Sequence, residues 1–360
     1  MKCFAASFIA LIILVVFATT VQADVSIETV PVGNTGNVGD TEVMTYDSTT
    51  GYGSVNYAYR IGKYEVTAGQ YCEFLNAVAA SDPYGLYNGL MDTTLGCQIT
   101  RHGSSGSYTY DFSGRPTGNE ADWKNRPVNF VSWGGAARFC NWLHNGQPTG
   151  TQDNSTTEEG SYTIHGATSQ EALRAIIRNN AATWAIPTED EWYKAAYHKN
   201  DGDTGNYFDY PTSSDTIPGY VNKSDNLSGT GVPFTEGGTD PGNYATCNGD
   251  SATYGIDSPY YRTEVGEWEN SESPYGTFDQ GGNVREWNEA YIGIYSKGIR
   301  GGSFEFYDSG LHASFRGYSA PATWGAVIGF RVVQVPEPTT ITLLLCGLVS
   351  LALLRRRNKV

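Results

Sequence analysis

Basic residues are scarce in this 360-residue chain: 23 Lys and Arg stand against 38 Asp and Glu, a formal net charge of −15. A phosphate backbone asks for a basic surface, so this balance speaks against a nucleic-acid partner. Charged residues of both signs make up only 17%, which excludes a coiled coil or helical bundle rich in Glu, Lys, Ala and Leu. Cysteine is limited to six residues, with no CxxC pair and no Cys/His ligand spacing, so a zinc site is rejected. No P-loop, dinucleotide fingerprint or Ser-His-Asp arrangement is legible. What the chain does have is glycine, 43 residues, and aromatics: 8 Trp, 25 Tyr and 14 Phe. That aromatic content excludes a disordered chain.

Both ends read as addresses. Residues 1–23 carry one Lys, an apolar run from Phe4 to Phe17 and small residues up to Ala23, the pattern of a secretory signal peptide. At the other end Ile341 to Leu354 is almost wholly apolar and Arg355, Arg356 and Arg357 follow. The run is short for an autonomous membrane span, and the arginines would lie on the cytoplasmic side. Pro336, Glu337 and Pro338 stand immediately before it. Setting the two ends aside removes Lys2, the three arginines, Lys359 and Glu337, so the body is more acidic than the whole chain. Four cysteines remain in it, Cys72, Cys97, Cys140 and Cys247. In an exported protein they allow three disulfide connectivities, and buried free thiols are the alternative, above all for Cys72 and Cys140 in helical stretches.

Along the body, 24–56 opens strand-like and becomes turn-rich, and Tyr57–Val66 is rich in β-formers. Thr67 with Gln70 three residues on is a capping box, predicting a helix to about Ala80. Tyr71, Phe74, Leu75 and Val78 fall on one face of it. Residues 81–124 are polar and predicted looped. Ser132 caps a second helix with Ala136, Phe139, Cys140 and Leu143 inward. Residues 161–165 read as a short strand. Thr188 with Glu191 caps a third helix with three carboxylates at its positive end. Residues 199–270 lack regular pattern, and strand-like runs close the chain near 300–304 and 329–333. The order indicates one α+β domain over 57–334, with 24–56 as its N-terminal strand and turn segment.

Five blocks in fixed order carry a resemblance: KYEVTAGQYCEFLNAV (63–78), RPVNFVSWGGAARFCNWL (126–143), IPTEDEWYKAA (186–196), YGTFDQGGNVREW (275–287) and RGGSF with GFRVV (300–333). Together they resemble the sulfatase-modifying-factor family, whose founding activity is the formylglycine-generating enzyme. The resemblance implies a single loop-rich α+β domain related to the C-type lectin fold. The C-terminal end resembles the PEP-CTERM sorting signal of bacteria. That resemblance implies an exosortase-type processing enzyme as partner, acting at Pro336, Glu337 and Pro338. It also implies transient membrane anchorage through the tail, and a final location in the cell envelope, at the cell surface or in the extracellular matrix.

The resemblance also implies sites. Family oxidases hold copper(I) on a cysteine pair after the GGS block, as a soft metal requires; here Phe306 and Leu311 stand about where those cysteines would be. Copper and formylglycine-generating activity are therefore not expected. A structural calcium ion is implied at Asp279 and Glu286 through side chains and at Gly282 and Val284 through carbonyls. The alternative there is an ordinary glycine turn with Glu286 paired to an Arg. The ligand cleft implied near the end of the chain has Tyr307, Asp308, His312 and Phe315 as neighbours, with Arg316, Tyr318 and Trp324. Aromatic faces with a few polar groups suit a polysaccharide or a surface peptide; core packing is the competing reading. Arg300 and Arg331 read as structural ion-pair partners. The functional expectation is a non-catalytic binding or structural protein. The alternative is an enzyme with displaced chemistry on Tyr307, Asp308 and His312.

Overall fold

The computed structural model describes residues 24–220, 242–248, 256 and 258–336. The signal segment 1–23 and the tail from Glu337 and Pro338 onward lie outside the described residues. Fifteen short elements follow in order: β1 (Thr29–Val32), β2 (Tyr59–Gly62), α1 (Ala68–Val78), β3 (Thr100–His102), β4 (Thr109–Asp111), α2 (Glu120–Lys124), α3 (Trp133–His144), α4 (Gln170–Ala175), β5 (Trp184–Ala185), α5 (Glu189–Tyr197), β6 (Arg285–Ile292), β7 (Ser296–Arg300), β8 (Gly317–Ser319), β9 (Ile328–Gly329) and β10 (Val333–Gln334). The architecture is mixed α and β and rich in loops, as the sequence indicates.

Each long helix starts where its cap predicts. Thr67 accepts from the Gln70 backbone N–H while the Gln70 side chain returns to the Thr67 N–H, and Thr188 with Glu191 repeats the arrangement at α5. Ser132 caps α3 by accepting from the Gly135 N–H. Two small sheets frame the body, ordered β1-β2-β10-β5 and β8-β7-β6-β9. β10 closes the first by setting Val333 opposite both Ile61 and Ala185. The 329–333 block thus locks the N-terminal strands to the segment leading into α5.

The main core joins the inner faces of α1 and α3. Tyr71, Phe74, Leu75, Phe139, Cys140 and Phe330 are fully buried in it. All four described cysteines are buried free thiols, so no disulfide forms among them. Two expectations need correction. Residues 161–165 form no strand: Tyr162 makes a single bridge to Arg178, and its N–H goes to the Asn141 side chain in α3. The stretch 81–124 is not merely looped. It holds the hairpin β3–β4 and the short helix α2, which Asn119 and Asp122 cap reciprocally.

Candidate functional site

The segment after β7 runs over a surface built around one carboxylate, Glu189, in the first turn of α5. Arg300, at the end of β7, donates its Nε to Glu189 Oε1 at 2.8 Å. Arg316 donates Nε and Nη2 to the same carboxylate at 2.8 and 2.7 Å and reaches Asp47 with Nη1. Both guanidinium groups also lie over the Tyr52 ring, at 5.2 and 5.1 Å. Arg316, expected in the ligand cleft, is thereby consumed as a strut that fastens the N-terminal turn segment to the C-terminal one.

That fastening creates a surface the sequence did not suggest. The Thr45 N–H donates to the Ser314 carbonyl at 3.0 Å, and Met44 is buried beside Ala313 and Trp192. Tyr46 then lies against Tyr318, ring centroids 4.8 Å apart, and both rings are about half exposed, 52% and 44%. Tyr307 and Trp324 are equally open. Phe315 is half-buried and packs edge-on to Phe306 at 5.8 Å. Leu311 is buried with Tyr210, Ala245 and Cys247. The signal for Tyr46 and Tyr52 was present as aromatic residues inside a turn-rich stretch, but nothing local says which distant segment they meet.

His312 joins residues other than the expected ones. Its Nδ1 is 2.8 Å from Ser314 Oγ, its Nε2 is 4.0 Å from Asp209, and its ring is edge-on to Tyr210. Asp308 opens a single turn and accepts the Leu311 N–H at its carbonyl. No hydrogen bond links Tyr307, Asp308 and His312 among the described residues, so the three do not form a relay. Next to the Glu189 cluster, and bordered by Tyr52, lies a recess of ≈ 340 Å³ lined by Arg178, Glu289 and Lys297 among others. Its charges are already spent. Arg178 grips Glu191 with two donors at 3.0 and 2.8 Å and Glu289 with a third at 3.0 Å. Lys297 donates to the Ile176 carbonyl at 3.1 Å, and burial pulls its ammonium down to about 8.

The glycine block 279–286 is a second centre. Asp279 and Gly282 both take positive φ, 58° and 97°; a Cβ on Gly282 would run into the Thr246 backbone. Glu286 is fully buried and accepts Nε and Nη2 of Arg331 at 2.6 and 2.7 Å, and the Trp192 indole N–H at 2.7 Å. Both its oxygens are engaged, as in the ion-pair alternative, so Glu286 as placed does not fit the part of a calcium ligand. A different carboxylate is unspent. Glu65, next to β2, is buried with both oxygens lacking a hydrogen-bond partner. Burial, then the charges of Asp279 and Glu286, hold its carboxyl well above the usual range. Asp279 accepts the Gly266 N–H, and burial raises its carboxyl to about 6. Among the described residues no group of three or more His, Cys, Asp or Glu converges as for a metal ion, and any cation here would depend on two carboxylates and on backbone carbonyls.

The sequence profile of the "Sulfatase-modifying factor enzyme 1-like domain" family matches residues 29–336. No curated protein matches by sequence. Several solved structures match in a comparison of structure. The crystal structure titled CarF is 19% identical, with 87% of this chain and 99% of that one covered and a TM-score of 0.47. Treponema denticola variable protein 1 is 19% identical, with 88% and 97% covered and a TM-score of 0.49. PvdO from Pseudomonas aeruginosa is 14% identical, with 86% and 92% covered and a TM-score of 0.43.

Proposed function

The chain belongs to the sulfatase-modifying factor enzyme 1-like family, and from that premise we propose that it is an exported, non-catalytic binding protein of the cell envelope or extracellular matrix. One observation carries the reading. Phe306 and Leu311, which stand about where the copper-holding cysteines would be, are packing residues: Leu311 fills an apolar cluster and Phe306 leans on Phe315. Thiolate chemistry cannot be recovered there by a change of rotamer. What the segment offers instead is the exposed shelf of Tyr46 and Tyr318, with Tyr307 and Trp324 as further open rings. Flat aromatic faces on a rigid support bind saccharide rings and extended peptides.

The enzyme alternative has less support, since His312 is engaged by Ser314 and Tyr307, Asp308 and His312 make no relay. The decisive assay mixes the purified protein with copper(I), oxygen and a sulfatase-motif cysteine peptide. Unchanged peptide is expected; aldehyde product by mass spectrometry overturns the reading. Export rests on the signal-like segment 1–23. Processing at Pro336, Glu337 and Pro338 by an exosortase-type enzyme, after transient anchorage through the tail, rests on the tail's pattern. A structural calcium ion would be held by Asp279 and Glu65, with the carbonyls of Gly282 and Val284 completing the oxygen set. Melting with and without chelator tests it: a midpoint that does not move removes the ion from the account.

A further inference from the structure

The chain has 25 tyrosines, and several of their rings pack on one another. In every such contact between described residues except one, at least one ring is buried. Tyr193 and Tyr197, for example, have ring centres 4.8 Å apart. Both are inside the protein, with Tyr193 donating its hydroxyl to Asp40 and Tyr197 donating to the Leu311 carbonyl. The exception is Tyr46 with Tyr318. Their centres are also 4.8 Å apart, yet both rings are open to solvent.

The contact is held from both sides. Tyr318 is the middle residue of β8 and lies opposite Gly298 of β7. Tyr46 sits between two anchored neighbours. The Thr45 N–H donates to the Ser314 carbonyl at 3.0 Å, and Asp47 is gripped by Arg316 at 2.5 Å. The hydroxyl ends of the two rings meet: the Tyr318 hydroxyl, ahead of burial, holds the Tyr46 phenol above its ordinary pKa. The rings are tilted by 54°. A bond between two rings carrying ortho hydroxyls favours a twist, so this tilt needs no flattening before the rings are joined. The four described thiols are buried and unpaired. They are therefore shielded from an oxidant at the surface, and no disulfide among them ties the N-terminal turn segment to the rest.

We propose that Tyr46 and Tyr318 form an oxidative cross-linking site, at which a peroxidase-type oxidant joins the two rings as dityrosine and staples the N-terminal turn segment to β8. Each phenol gives up one electron and one proton, leaving two phenoxyl radicals. The radicals pair by forming a bond between Cε carbons ortho to the hydroxyls. Each ring then moves its displaced Cε hydrogen to oxygen and regains a phenol. The chain loses two hydrogens in all, and one hydrogen peroxide takes up the two electrons and two protons and leaves as two waters. The link closes a loop that runs over most of the body, and long loops gain most in the chain-entropy account of covalent staples. The inference is independent of the saccharide reading.

The test treats the full purified chain, in dilute solution, with a peroxidase and hydrogen peroxide. Dityrosine fluorescence is recorded and the linked peptides are mapped by mass spectrometry. The expected product is a monomer lacking two hydrogens, with Tyr46 joined to Tyr318 as the dominant link. Its urea-unfolding midpoint is expected to lie above that of the untreated protein. Tyr318→Phe keeps the ring but has no phenol to oxidise, and is expected to lose most of the fluorescence. Oxidation in concentrated urea is expected to scatter the links over other tyrosines. Absence of dityrosine, links mainly at other residues or between molecules, or the same preference in urea overturns the site. Fluorescence retained by Tyr318→Phe overturns it as well, and an unchanged midpoint in the linked protein overturns the staple. The wild-type mapping requires no variant, so a variant that fails to fold does not rescue the proposal.

Discussion

Around α1 and α3 the interior is aromatic and aliphatic; around α5 and β6 it is ionic. In the first region Tyr71, Phe74, Phe139, Trp142 and Phe330 contact one another with ring centres 5.2–6.4 Å apart. In the second, Glu286 with Arg331, Glu191 and Glu289 with Arg178, and Glu189 with Arg300 and Arg316 tie together segments 13 to 127 residues apart. The first region tolerates a change of shape if volume is kept. The second does not tolerate loss of one partner, because the other is left charged in the interior. The proposed binding surface is mounted on the ionic region, with Arg316 tying Asp47 to Glu189 as a strut.

The largest effect is expected where the contrast is sharpest. Arg331→Ala strands Glu286 and is expected to cost about 3–5 kcal/mol in urea denaturation. The double variant Arg331→Met/Glu286→Leu should lose clearly less than the single one. If both lose the same, the region is held by packing and the comparison fails. Leu75→Ala in the aromatic region is expected to cost about 3 kcal/mol through transfer and cavity terms, to the same extent at low and high salt. A salt-dependent loss would blur the distinction.

Protons separate the regions next. Asp279 has a folded pKa raised to about 6 against about 3.9 unfolded. The folded state therefore binds the proton more tightly. Its contribution is complete below about pH 4 and is lost as pH rises through about 6, a fall on the order of 3 kcal/mol. Glu65, raised by the same surroundings, acts in the same direction, while Glu286 stays paired to Arg331. Asp279→Asn should flatten the midpoint-against-pH curve between 4 and 6. Added calcium restoring the midpoint at pH 7 would support the ion at Asp279 and Glu65. The smallest of these effects is local: Thr67→Ala, which removes the cap of α1, is expected to cost about 1 kcal/mol, read as a lowered melting midpoint.

The same contrast explains what the sequence made legible. α1, α3 and α5 were readable because a cap and a 3.6-residue apolar period both act within a dozen residues. The hairpin β3–β4 was not, because its strands are three residues each with only Tyr110 turned inward. α2 could have been found, since Asn119 with Asp122 three residues on is a capping box in a polar stretch. Of the expected cleft residues, Tyr307, Tyr318 and Trp324 are exposed, whereas Arg316 is taken up by Glu189, a partner 127 residues away. Tyr46 and Tyr52 were invisible as site residues for the same reason. Charge pairing carries no period, so long-range ion pairs leave no local trace.

On the proposed reading, the ionic region is a fixed mount for a tyrosine binding surface and not a remnant of catalysis. The direct measurement is binding of the producer's own extracellular polysaccharide to wild type and to Tyr46→Ala/Tyr318→Ala, with melting midpoints recorded alongside. The double variant is expected to lose binding at least ten-fold while its midpoint stays within a few degrees of wild type. Undiminished binding by the double variant, or chemical alteration of the polysaccharide by the wild type, would contradict it.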